Sequence, residues 1–149
     1  MTDATDDVLG PIDIVILEFS GGKLAGETAA ELLKLIDTGI IRLYDLLVIR
    51  KEADGSFSGI DVSDVDDEHV GQLTVFAGAR SGLLDDSDVA EAAEAMEPGT
   101  VGALIVYENA WARPFVAAVR QAGGELVASA RIPADAVNEA LELLDALDD

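Results

Sequence analysis

The chain contains no cysteine, which excludes disulfide frameworks, thiolate zinc sites, iron–sulfur ligation and cysteine nucleophiles together. Histidine occurs once, at position 69, so a multi-imidazole metal site or a serine–histidine triad has little to build on. Cations are scarce as well: 9 Lys and Arg stand against 30 Asp and Glu, a formal charge of −21. Phosphate contacts and counterion release need Lys and Arg, so neither nucleic-acid binding nor attachment to an anionic membrane surface is expected. No apolar run approaches the roughly 18 residues of a membrane helix, and residues 1–7 are acidic where a signal peptide is basic. The expectation is therefore a cytoplasmic protein without an integral membrane segment, kept soluble by its charge.

What is present is a chain of 149 residues, half of them hydrophobic, enough for one domain with an ordinary core. Residues 1–9 are polar, acidic and aperiodic and read as a mobile tail, with a single domain over 10–149. Ile12–Phe19 is β-rich and ends at Ser20-Gly21-Gly22. Ala29, Leu32, Leu33, Ile36 and Ile40 then recur at helical spacing over 24–38, with Gly39 in the C′ position. Strands over 41–51 and 56–62 meet across Ala53-Asp54-Gly55, a strong hairpin signal. Two connector helices are expected next. One carries Val70, Leu73 and Phe76 behind Asp64 or Asp66, and the other spans 89–96 with Asp88 as N-cap and Glu91 closing a capping box.

The last third reads strand 101–108, a helix opened by Pro114 and closed by Gly123-Gly124, strand 126–132, and a helix after Pro133. On that final helix Val137, Ala140, Leu141, Leu144 and Leu147 form one apolar stripe, as on a helix docked by one side. The segments 12–18 and 101–108 each begin a strand–helix–strand unit, and each first strand ends on glutamate. Two such halves interleaved in one antiparallel sheet give an α+β, ferredoxin-like fold: two pseudo-repeated βαβ halves with an inserted hairpin strand and connector helices. A doubly wound parallel sheet is the alternative.

The segments 10–19, 41–51, Glu108-Asn109-Ala110-Trp111 and 123–133 resemble a family of small acidic bacterial proteins of unknown function. The chain is also similar to membrane-associated or stress-related ferredoxin-like proteins. The resemblance implies the fold and a stress-related setting and carries no catalytic residues with it. Some relatives have a glycine-rich apolar stretch in the middle; here 75–82 is short and broken by Arg80, which weakens a membrane association.

Several constellations touch on chemistry. The loop Gly21-Gly22-Lys23 precedes a helix, where phosphate binds backbone amides, but it lacks both P-loop and dinucleotide spacing. The acidic run 61–69 fails the calcium-loop template, with His69 where glycine must turn the chain and Val75 where the final glutamate belongs. No metal and no cofactor are expected. Glu18, Glu108, Asn109 and Trp111 remain as ligand-binding or interface candidates, with no catalytic residue assigned. Interleaved first strands would make the two glutamates neighbours, fit for acid–base work. Alternatively they cap helices or pair with Arg42, Arg113 or Arg131 while Trp111 packs over the strand ends. The function expected is a non-enzymatic, self-associating scaffold or regulatory protein, a homo-oligomer with room for a further protein partner. A small-ligand-binding domain near Glu18, Glu108 and Trp111 is the alternative, and a lyase or isomerase comes third.

Overall fold

The computed structural model describes residues 8–20, 26–60, 76 and 78–148. Its elements are β1 (Ile12–Phe19), α1 (Gly26–Asp37), β2 (Arg42–Lys51), β3 (Phe57–Ile60), α2 (Asp86–Ala95), β4 (Val101–Glu108), a 3₁₀ turn (Ala110–Ala112), α3 (Arg113–Gln121) and α4 (Ala134–Asp148). This is a mixed α+β chain with a four-stranded sheet in the order β1-β4-β2-β3, antiparallel throughout. The parallel alternative is thereby excluded. The chain divides into two compact units, Met1–Ala118 and Val119–Asp149.

In the first unit β4 is central and almost wholly buried, as a continuous apolar run demands. Leu46, Val48, Val101, Ala103 and Ile105 pack on one face of the sheet with Ala29, Leu32 and Ile36 of α1. Ile49 and Leu104 pack on the other face with Ala92 and Ala93 of α2 and with Met96 just after it. Alternation along the strands divides these side chains between the two faces. One irregularity interrupts it: β2 pairs Leu43 with Tyr107 and Asp45 with Val106, leaving Tyr44 as a bulge. Because of that extra residue Leu43, Leu46 and Val48 all reach the same core.

The hairpin between β2 and β3 forms as expected, with Gly55 at φ 91°, and Gly39 ends α1 at φ 76°. Helix α2 begins earlier than Asp88. Its N-cap is Asp85, which accepts from Ser87 and Asp88 amides while the Asp88 carboxylate takes the Asp85 amide. Asp88 is therefore the closing member of the box, and Glu91 has no part in it. Val8, placed in the tail by composition, is buried. The helix expected behind Asp64 or Asp66 and the end of the third strand lie largely outside the described residues.

In the second unit α4 starts after Pro133 as expected, yet none of its residues is buried. Residues 126–132, expected as a strand, have no strand pairing, and Leu126, Val127 and Ile132 are exposed. A strand exists only with a neighbour to take its backbone hydrogen bonds, and β propensity alone supplies none.

Candidate functional site

Three of the four expected residues gather at one end of the sheet. Glu108 closes β4 with no exposed surface. Its carboxylate accepts from Arg113 Nε and Nη2, each at 2.6 Å, from the Gly10 amide at 2.7 Å and from the Tyr44 hydroxyl at 3.2 Å. These four donors meet because the 3₁₀ turn brings Arg113 back over the strand end, while β1 and the β2 bulge deliver Gly10 and Tyr44. Arg42, which pairs in register with Glu108, stacks its guanidinium 5.4 Å from the centre of the Tyr44 ring. The Arg113 hydrogen bonds, helped by those of Gly10 and Tyr44, hold the Glu108 carboxyl down at about 2 against the opposing effect of burial.

Asn109 knits the neighbouring chain. Its amide nitrogen donates to the Pro11 carbonyl and to Asp13 Oδ2, both at 2.9 Å, and its Oδ1 accepts from Trp111 Nε1 at 3.3 Å. The backbone amide of Trp111 donates to Ile40, so the turn is tied to the start of β2. The indole itself is 64% exposed and Phe115, one helical turn on, is 71% exposed. Two uncovered aromatic rings on one face suit a contact surface better than a core.

Glu18 is elsewhere. In the antiparallel β1–β4 pair Glu18 stands opposite Gly102 and Ile12 opposite Glu108, which separates the two glutamates by roughly 20 Å at about 3.4 Å per residue. The expected proximity required both strand ends to coincide, and antiparallel pairing puts them at opposite ends. Glu18 accepts from the Glu97 amide at 3.2 Å and so fastens β1 to the turn after α2. Glu18 and Glu108 therefore do not form a pair with one another.

A sequence reading that pairs Glu108 with Arg113 is upheld. Tyr44 and Gly10 escaped it because they lie 64 and 98 positions away, and no local pattern links them to Glu108. Separately, a cleft of about 470 Å³ runs between β2, β3 and the start of α2, lined by Asp45, Ile60, Arg80, Leu84, Asp85 and Val89. Asp45 is committed there to the amide and hydroxyl of Ser81, and Asp85 to its helix. Among the described residues no group of three or more carboxylates or imidazoles is placed to hold a metal ion, and no helix is long and apolar enough to cross a membrane. The acidic run 61–69 lies outside the described residues.

Residues 8–147 match DUF6325, a family of unknown function, and the chain belongs to that family. No curated protein and no solved structure matches it.

Proposed function

We propose, with membership of that family as the premise, that this chain is a non-enzymatic, self-associating protein of scaffold or regulatory role, built on a ferredoxin-like plan. One observation carries the reading: β1 is an eight-residue edge strand whose outer side has no strand partner among the described residues. Natural edges are blunted by charged side chains, lysine above all, by proline, bulges or covering loops. Within β1 there is no lysine, proline or bulge, its two charges Asp13 and Glu18 accept from Asn109 and from the Glu97 amide, and Ile12, Ile14 and Leu17 are exposed along it. The other side of the sheet is closed differently, since β3 covers Val48–Lys51 and the Ala79 carbonyl takes the Leu46 amide. Trp111 and Phe115 add exposed aromatic surface beyond the end of β1.

The ferredoxin-like plan draws support from the topology. β1 and β2 both run antiparallel to β4, which lies between them, with α1 as the crossover. That is one split βαβ half, and the second would take β4, α3 and a closing strand from 126–132. The stress-related setting rests on resemblance alone. A small ligand near Glu18, Glu108 and Trp111 is less well served, because Glu108 is filled by internal donors and Glu18 stands at the far end of the sheet.

Light scattering over a wide range of protein and salt concentrations tests the reading, with Trp111 fluorescence followed in the same samples. Association with a blue-shifted emission is expected, since contact would cover an indole that is exposed in the single chain. A monomer at every concentration would overturn it.

A further inference from the structure

We propose that the Asp54-Gly55 peptide is a site of spontaneous backbone modification, the conversion of Asp54 to isoaspartate, and that Ser56 is the residue that restrains it. The reaction lies wholly within the hairpin between β2 and β3 and needs no partner.

Chemistry singles out this dipeptide. In an Asp-Gly pair the glycine amide nitrogen attacks the aspartyl Cγ and forms the N–Cγ bond of a succinimide ring. The nitrogen gives up its proton and the carboxyl hydroxyl leaves as water. Water then adds back at one of the two ring carbonyls. Breaking the N–Cγ bond restores aspartate, whereas breaking the bond from nitrogen to the main-chain carbonyl carbon leaves the chain running through Cβ and Cγ, one methylene longer. One water is lost and one regained, so the sum is an isomerisation without oxidant or co-reactant. A side chain on the second residue crowds the attacking nitrogen, and only glycine leaves it open. The sequence holds a single Asp-Gly pair and no Asn-Gly. The space beside Gly55 is empty as well, since a Cβ built there would meet nothing within 4 Å beyond its chain neighbours.

The fold engages both reacting groups. Asp54 Oδ1 accepts from the Ser56 hydroxyl at 2.6 Å and from the Ser56 amide at 2.9 Å, a side chain bonding its own backbone two residues on. Those bonds, the hydroxyl's above all, favour the ionised carboxyl and lower its pKa. Water leaves only from the neutral acid, so the fraction able to cyclise shrinks. The nucleophile is occupied too, its N–H donating to the Glu52 carbonyl at 3.0 Å. Gly55 then follows at φ 91°, the hairpin loop in which a type I turn is completed by a left-handed glycine. The Glu52 amide closes the mouth of the loop on the Ser56 carbonyl at 2.7 Å.

Position makes the product matter. Just beyond the loop Lys51 pairs with Phe57 and Val48 with Ile60, and Ile60 belongs to the buried core. Loop length sets that register, and an extra main-chain methylene changes it. Ser56 therefore guards the pairing of β3.

Accumulation of isoaspartate at residue 54, at physiological temperature and neutral pH, tests this by electron-transfer mass spectrometry of the peptide that carries it. The natural chain and Ser56→Ala are each followed folded and in urea. Both should convert at one fast rate in urea, and the folded natural chain should be the slowest sample. Folded Ser56→Ala should convert roughly three- to tenfold faster than the folded natural chain, as the loss of one hydrogen bond implies. Ser56→Thr, which keeps the hydroxyl, should restore the natural rate, and circular dichroism checks that each variant is folded. Equal folded rates for the natural chain and Ser56→Ala would overturn the role of Ser56. A folded natural chain that converts as fast as in urea would overturn it whatever the variants do, and isoaspartate confined to other positions would overturn the site.

Discussion

Arg113 grips Glu108 through two guanidinium nitrogens, each 2.6 Å from a carboxylate oxygen, at a position where the acid has no exposed surface. A bidentate pair with two further donors is among the arrangements able to offset the cost of taking a carboxylate out of water. Glu108 thus holds four separate stretches of chain together: the lead into β1, the β2 bulge, the end of β4 and the start of α3.

Replacing it should cost folding. Glu108→Gln removes the charge that Arg113 and the Gly10 amide face, and a loss of about 3 kcal/mol is expected, as when one partner of a buried pair is removed. Tyr44→Phe deletes only the longest of the four contacts and should cost about 1 kcal/mol. Urea unfolding followed by Trp111 fluorescence ranks the two.

The same carboxyl predicts an acid limb. Its folded-state pKa of about 2 lies below the ordinary value of 4.5, so the unfolded chain takes up the proton first as pH falls. The stability it contributes is complete above about pH 5 and lost progressively towards pH 2, about 3 kcal/mol in all. Urea midpoints across that window should fall steeply for the natural chain and less steeply for Glu108→Gln.

Two glycines make a paired test of close approach. A Cβ on Gly10 would stand 2.1 Å from the Asn109 carbonyl oxygen, so backbone must move and the Gly10–Glu108 bond loosens. At Gly102 the nearest atom is Met96 Sδ at 2.9 Å, the end of a flexible side chain. Gly10→Ala is expected to cost about 2–3 kcal/mol and Gly102→Ala under about 1 kcal/mol, measured by thermal unfolding.

Lys51 closes the C-terminal end of α2, its ammonium donating to the Ala93 and Met96 carbonyls at 2.7 and 2.9 Å. The Ala93 carbonyl also accepts from the Met96 cap amide, while Met96 lies past the last helical residue, and a cation suits that end of the dipole. Lys51→Met should destabilise the chain by about 1–2 kcal/mol. Hydrogen exchange should show the last turn of α2 losing protection first.

Much of this architecture was legible because local chemistry wrote it. The Asp54-Gly55 turn, the glycine after α1 and the apolar run of β4 each act within a few residues, and the structure keeps all three. The cap of α2 was misread by three positions because Asp85, Asp86 and Asp88 are all competent caps, and only amide geometry selects among them. The site was half legible. Sequence could single out Glu108, Asn109 and Trp111, whereas Tyr44 and Gly10 join them through pairing across most of the chain. Glu18 was misplaced because strand direction, which decides whether two strand ends coincide, is not encoded in either strand.

The bulge at Tyr44 has a genetic corollary. On either side of it β2 is in opposite phase, so that Leu43 and Leu46 face one way although an odd number of positions separates them. Removing the single codon for Tyr44 would bring the strand back into uniform phase without turning any core side chain outward. A point deletion, ordinarily ruinous in the middle of a sheet, would here cost the phenol that reaches Glu108 and little else. Length variation of one residue at this position is the indel that β2 is built to absorb.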